Sequence, residues 1–406
     1  MKLLWVKCDF LHPTTKGGQI RTLETLRRLH RNHEVHYVAF HDPAQPEGLA
    51  RASEYCTHAY PILHTPPSRS SPAFAAQLLG NLFSPLPLSL ARYGSKEMKS
   101  TIEKLLAREN FDSLVCDFLS PAPNIPDLGR AVLFQHNVES TIWRRHAETA
   151  SFLKRRYFQL QADRMFRYER DACRRAGGVI AVSRDDAAAM TELFGVADVA
   201  AVPTGVDTDY FAPPAISAGP KADIVFVGSM DWMPNIDGMN WFFDSILPLI
   251  HRRNPSLTVA VVGRRPSPDM LNRARQDERI QVTGTLPDIR PWLWGSRVAI
   301  VPLRIGGGTR LKIYEAMAAG VPVVSTTIGA EGLDVHPPED IRIADLPEAF
   351  ADRCLELLDD PALRRGISDA ALAMVASEFS WERVAESFAG VLERFPGPRQ
   401  TRPGKG

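Results

Sequence analysis

The chain has 406 residues, enough for two domains of ordinary size, and its 44% apolar and 23% charged content is that of a globular protein. A formal net charge of +1 removes any global electrostatic case for nucleic acid, so a basic site must be local. Cys8, Cys56, Cys116, Cys173 and Cys354 lie far apart with no Cys-x-x-Cys pair, which argues against a disulfide framework or a zinc site and predicts a reducing, cytoplasmic setting.

The chain opens on "MKLLWVKCDF", whose apolar run is interrupted by Lys7 and Asp9, so no signal peptide is expected there. No run approaches the roughly 18 apolar residues of a membrane-spanning helix. Strand candidates then follow in order. In the first half they are "LLWVKC" (3–8), "EVHYVAF" (34–40), "SLVCDF" (113–118), "AVLFQHN" (131–137), "GVIAVS" (178–183) and "DVAAVP" (198–203). In the second half they are "DIVFVGS" (223–229), "LTVAVVG" (257–263), "RIQVTG" (279–284), "RVAIVPL" (297–303), "PVVSTT" (322–327) and "DIRIAD" (340–345). Continuous apolar strands separated by helical patterns predict parallel sheets covered on both faces, hence two doubly wound, Rossmann-like α/β domains in series.

The Pro/Ala/Gly/Ser-rich stretch "YFAPPAISAGPKAD" (210–223) marks the boundary, giving a first domain over 1–212, a linker over 213–221 and a second domain over 222–380. An amphipathic helix is expected over 381–395, followed by a disordered Pro/Gly-rich tail over 396–406. Two segments interrupt the alternation. The proline-broken insert 66–94 reads as a helix-loop segment packed on the first domain, with an acceptor- or membrane-facing surface as the other reading. Residues 144–175 hold ten Arg or Lys against four acids, which fits either a solvated helix face packed by Phe152, Leu160 and Phe166 or a face for anionic lipid.

The richest segment is "VPLRIGGGTRLKIYEAMAAGVPVVST" (301–326). A strand ends near Leu303, and Gly306, Gly307 and Gly308 let the backbone approach a ligand without Cβ interference. A helix is expected to start near Thr309, a good N-cap type, and its free amides form an anion site. Arg310 and Lys312 lie at the end of that helix where cations are locally costly, which an anionic ligand explains. Glu315 shares a helix face with Lys312; a surface salt bridge is one reading, and acceptance of two ribose hydroxyls is the other and the favoured one. Neither a P-loop nor a Gly-x-Gly-x-x-Gly fingerprint is present.

Taken as an ordered series, these segments resemble the family 4 retaining glycosyltransferases (glycosyl transferases group 1) of the GT-B fold. The resemblance rests on "GGGTRLKIYEAMAAGVPVVST", "KGGQIRTLETLRRL" (16–29), "FQHNVES" (134–140), "AVSRDDAAAM" with "VPTGVDTDYF", "FVGSMDWMPNIDGMNWF" (226–242) and "VTGTLPDIRPWL" (282–293). It implies two domains facing across a cleft, with the final helix crossing back to the first. It also implies a metal-independent donor site for a nucleotide-diphosphate sugar. Glu315 would hold the ribose, amides over Gly307, Gly308, Thr309 and Leu311 the diphosphate, and the backbone at Gly284 and Leu286 the base. Gly17 and Gly18 would approach the donor phosphates, Gly228 and Ser229 would line the second domain's first loop, and His136 would sit beside the sugar. His136, Arg310, Lys312 and Glu315 are the candidate catalytic residues.

There are two departures. The first glutamate of the family's pair is replaced by Gly307, and the usual Arg and Lys of the first loop are Ser229 and Asn235. Arg310 and Lys312 lie on the other wall, so positive charge is expected to have moved from one loop to the other. No carboxylate pair suggests a two-step displacement, and the resemblance implies retention by front-face attack. The expected acceptor is a saccharide or a lipid-linked saccharide in glycan or exopolysaccharide assembly, with peripheral membrane contact and no nucleic acid. A nucleotide-sugar epimerase and a non-catalytic nucleotide-sugar-binding subunit are the alternatives.

Overall fold

The computed structural model describes residues 1–14, 17–64, 67, 71–149, 152–215, 219, 221–305, 311–395 and 397. The chain divides into two compact units, Met1–Pro203 with Val384–Gly406, and Thr204–Arg383.

The first unit holds a seven-stranded sheet with strands β1 (Lys2–Lys7), β2 (Glu34–His41), β3 (His58–Leu63), β4 (Ser113–Asp117), β5 (Val132–Gln135), β6 (Gly178–Ala181) and β7 (Val199–Ala201), in spatial order β3-β2-β1-β4-β5-β6-β7. Every pairing is parallel. The strands are apolar along their length because helices cover both faces; Leu3, Leu4, Trp5 and Val6 are all buried. Strand β3 is not among the strands expected from the sequence. Pro61 interrupts "HAYPIL" and cannot donate to a ladder, yet β3 is an edge strand, where one side needs no partner.

The second unit repeats the plan with β8 (Ala222–Val227), β9 (Val259–Val262), β10 (Ile280–Val282), β11 (Ser296–Val301), β12 (Val323–Ser325) and β13 (Arg342–Ile343), all parallel, in order β10-β9-β8-β11-β12-β13. In each sheet the strand order reverses beside the first strand, between β1 and β4 and between β8 and β11. That reversal opens a crevice at the carboxyl ends of the strands.

The division falls at Pro203, not at the linker expected over 213–221. Val206 and Phe211 are buried in the second unit's core, and Val206 bridges Ser380, so 204–212 belong to the second unit. Helix Trp381–Arg394 buries Val384, Ala385, Phe388, Val391 and Leu392 at helical spacing. From Val384 onward the chain groups with the first unit, where the Phe388 ring lies 5.4 Å from Trp5 and 4.9 Å from Phe134. Of the tail expected over 396–406, only Gly397 is among the described residues.

The insert 66–94 forms helices Pro72–Asn81 and Leu88–Ala91. Buried polar groups tie it to helix Phe152–Arg175: Arg164 donates to the carbonyls of Asn81 and Leu82, each at 2.7 Å, and Gln161 bridges Leu88 and Asn81. Lys154, Arg155, Arg156, Arg167, Arg174 and Arg175 remain exposed, while Gln161, Met165 and Glu169 face inward. Leu160 is half-buried and Phe166 packs against the core; the side chain of Phe152 lies outside the described residues. All five cysteines are free thiols.

Candidate functional site

In the second unit, the chemistry gathers at the carboxyl ends of β8, β9, β10 and β11. Gly228 follows β8 directly, and its amide donates to Val262 O (2.9 Å), so the residue serves the sheet and leaves room above it. A Cβ there would come within 2.7 Å of the Lys312 ammonium. Lys312 enters from helix Leu311–Ala318, donates to Asn235 Oδ1 (2.9 Å) and sits 4.3 Å from the Phe226 ring centre. Asn235 is buried, and its amide nitrogen donates to Ser229 O (2.8 Å). The lysine expected on the opposite wall thus reaches Asn235, which lies in helix Met233–Trp241 and not in the loop, and through it the Ser229 carbonyl. Arg310, Gly307, Gly308 and Thr309 lie outside the described residues. Leu311, half-buried, is the first residue described in its helix.

Glu315 lies on the same helix, half-buried, with Ile313, Tyr314, Ala316 and Met317 filling the core side. Burial raises its carboxyl above the ordinary value, and Lys312 opposes that shift. Gly284, after β10, has φ 70°, the left-handed conformation that favours glycine, with open space where a Cβ would be. Leu286 is half-buried against the core.

The loop after β9 also belongs here, although no sequence motif marks it. A Cβ on Gly263 would overlap the Gly228 carbonyl, so this glycine lets the two loops lie in contact. The chain then presents Arg264 and Arg265, both exposed. Arg264 Nε donates to Ser229 Oγ (2.8 Å), and Arg265 donates to Asp231 (2.9 Å). The Ser229 hydroxyl and then the two arginines hold Asp231 below the ordinary carboxylate value. Arg265 has φ 54°, uncommon for a side chain of its size. The only available signal was the "GRRP" run after an apolar strand, which carries no family pattern.

In the first unit, the carboxyl ends of β1, β4 and β5 bring together a buried cluster centred on Asp117. Lys7 Nζ lies 3.1 Å from Oδ1, His136 Nε2 2.8 Å from Oδ1, Trp5 Nε1 2.9 Å from Oδ2 and Thr22 Oγ1 2.7 Å from Oδ2. Burial alone would raise the Asp117 carboxyl, but Lys7, His136 and Thr22 together hold it well below the usual range. Arg21 donates to His136 Nδ1 (2.9 Å), so Nε2 carries the hydrogen given to Asp117. Burial lowers the His136 pKa, with Arg21 and Lys7 adding to the effect, and Asp117 opposes without overcoming it. The ring is therefore neutral, 3% exposed and bonded at both nitrogens. Burial also pushes the Arg21 guanidinium down to about 10.

Phe118 stacks on His136 at 3.7 Å and 13°, under the Lys7 ammonium at 4.2 Å, and has φ 72°. Gly18, inside helix Gly17–Leu29, passes so close that a Cβ would meet Phe118 at 2.5 Å, whereas a Cβ on exposed Gly17 would meet open space. Of this cluster only His136, Gly17 and Gly18 are legible in the sequence. Lys7 inside an otherwise apolar buried strand was the available signal for the rest.

Residues 15–210 match the model of Glycosyltransferase Family 4, and residues 221–360 match that of Glycosyl transferases group 1. A glycogen synthase from Mycobacterium tuberculosis is 28% identical over 235 residues, 53% of each chain. A lipopolysaccharide core biosynthesis mannosyltransferase from Rhizobium meliloti is 30% identical over 208 residues, 47% of this chain and 59% of its own. The matches thus span about half the length of these curated relatives. Among solved structures, sucrose-phosphate synthase from Thermosynechococcus elongatus superposes with a TM-score of 0.68 at 16% identity, over 97% of this chain and 98% of its own. An Anabaena protein in complex with UDP gives 0.66 at 13% identity, over 97% and 100%. Both likenesses show the fold, that of the GT-B enzymes.

Proposed function

Because the chain belongs to the group 1 glycosyl transferases of glycosyltransferase family 4, we propose that it moves a sugar, with retention of configuration, from a nucleotide-diphosphate sugar to a saccharide or lipid-linked acceptor. The observation that carries this reading is the convergence of Lys312, Asn235, Gly228 and Glu315 at the crevice between β8 and β11. A ribose is read by Glu315, whose acceptor oxygens match vicinal hydroxyls. The base is framed by Gly284 and Leu286, and the diphosphate is met by the helix start at Leu311, by Lys312 and, in this reading, by Arg310. Arg264 and Arg265 add positive charge beside the same loop. Negative charge developing on the leaving diphosphate is stabilised by groups already in place, which is where electrostatic catalysis is most effective. Cationic side chains and helix amides carry that role, without a metal ion.

For the first unit, we propose that Gly17 and Gly18 allow close backbone approach to a phosphate. His136, with both nitrogens engaged, acts as a positioning residue that fixes Arg21 and Asp117. Incubation of the protein with a panel of nucleotide-diphosphate sugars tests the activity: one donor should raise the melting temperature and be slowly hydrolysed without acceptor. NMR of the transferred sugar's anomeric proton then reads retention or inversion. Donor binding without hydrolysis or transfer would favour the binding-subunit reading.

Peripheral membrane contact is a second element of the proposal. Leu79, Leu82 and Phe83 are exposed at the end of helix Pro72–Asn81, Phe83 at 92%, and that helix is tied to the one bearing Lys154, Arg155 and Arg156. Apolar side chains beside cations suit an anionic lipid surface. Among the described residues no helix is long and apolar enough to cross a membrane.

A further inference from the structure

At the opposite, amino-terminal ends of β1, β2 and β3, the sheet gathers side chains of the kinds that can ligate a metal. Glu34 and His36 are two apart on β2 and share a face. The parallel register sets His58 beside His36, and Lys2 beside Glu34. The ligand atoms of Glu34, His36 and His58 all lie within 4.8 Å of one another. His36 Nε2 is 2.8 Å from Glu34 Oε1 and 3.9 Å from Glu109 Oε2, and His58 Nε2 is 3.9 Å from Glu34 Oε1. Tetrahedral zinc with bonds of about 2.0 Å requires ligand atoms roughly 3.3 Å apart, a spacing these separations bracket.

We propose that Glu34, His36 and His58, with Glu109 as a fourth ligand, form a binding site for a borderline divalent cation such as Zn²⁺. Two imidazoles and carboxylates suit that class of ion better than Mg²⁺ or Ca²⁺. His36 is built as a metal ligand: it is buried, and its Nδ1 lies 2.9 Å from the Tyr60 hydroxyl, an outer partner that fixes the ring. Nε2 now gives its hydrogen to Glu34. On metal binding the ion takes the place of that hydrogen, and the ring proton resides on Nδ1, facing the Tyr60 oxygen. His58 is half-exposed on the edge strand and free to rotate the short distance needed. Lys2, paired with both Glu34 (3.1 Å) and Glu109, is the cation a metal must displace, and at 26% exposure it has solvent to swing into. Lys2 therefore acts as a built-in competitor. The site is separated from the Lys7–Asp117 cluster by the length of β1, roughly 16 Å at about 3.3 Å per residue.

The test uses the full chain without a polyhistidine tag, stripped with chelator, then titrated with ZnCl₂ by calorimetry and with CoCl₂ by visible absorption. The expected result is one saturable equivalent, with Co²⁺ giving the intense bands of a four-coordinate site. His58→Ala and Glu34→Gln, both at solvent-accessible positions, should each weaken Zn²⁺ binding at least about tenfold, the scale on which site disruption acts. Lys2→Ala should tighten it, and glycosyl transfer by His58→Ala should match the wild type. Absence of a saturable equivalent overturns the proposal. So does Zn²⁺ binding that His58→Ala and Glu34→Gln leave unchanged, or that Lys2→Ala fails to strengthen, because the ion then sits elsewhere.

Discussion

Glu315 and Lys312 lie about one turn apart on a single helix, and their roles separate by experiment. Glu315→Ala removes acceptors for a ribose; a hydrogen bond to a charged group contributes about 1.5–3 kcal/mol, so donor affinity should fall about ten- to a hundred-fold by calorimetry, with the melting temperature little changed. Lys312→Ala should slow turnover by about 10²–10³ while leaving affinity for the neutral nucleoside nearly intact. If charge has changed walls, placing it back by Asn235→Lys in that background should recover part of the rate. His136 yields a pH prediction. Unfolded histidine takes a proton near pH 6.5, whereas burial keeps the folded ring neutral well below that. The folded state is thus favoured above pH 6.5 and loses that advantage as pH falls. Between pH 7.5 and 5.5 the loss from this residue is on the order of 1 kcal/mol. Urea melts of His136→Gln should lose less stability between pH 7.5 and 5.5, by about that amount.

At the scale of elements, legibility followed sequence distance. The helix and the Lys312–Glu315 spacing lie within a dozen positions, so local pattern revealed them. Asp117 meets Lys7 across 110 positions and Trp5 across 112, and only the order β1-β4-β5 brings them together. Arg264 and Arg265 were invisible for the same reason, because their partners Ser229 and Asp231 lie on another loop. Thr309 and Arg310, though legible, fall outside the described residues. The contact between those loops is itself testable: Gly263→Ala drives a methyl into the Gly228 carbonyl, an overpacking that costs about 1–3 kcal/mol and should lower both the urea midpoint and donor affinity. On the insert, Phe83→Ser should weaken co-sedimentation with anionic vesicles, and binding by the wild type should decline as salt rises. Indifference to anionic lipid would return residues 144–175 to a solvated face.

At the scale of the molecule, the alternation of strand and helix patterns revealed two parallel α/β units, because strands buried on both faces leave uninterrupted apolar runs. It did not reveal where one unit ends, since Val206 and Phe211 reach the second core from inside a stretch that composition marks as loop. The return of the chain at Val384 has a consequence for biogenesis. Trp5 and Phe134, laid down early, find their neighbour Phe388 only after the whole second unit has been translated. The first unit therefore waits on the ribosome with an incomplete core, exposed to premature association in a way that a strictly N-to-C folding order would avoid. A chain stopped after residue 383 should show this directly: its second unit should still melt cooperatively, while the first should bind a hydrophobic dye and be cleaved early by protease.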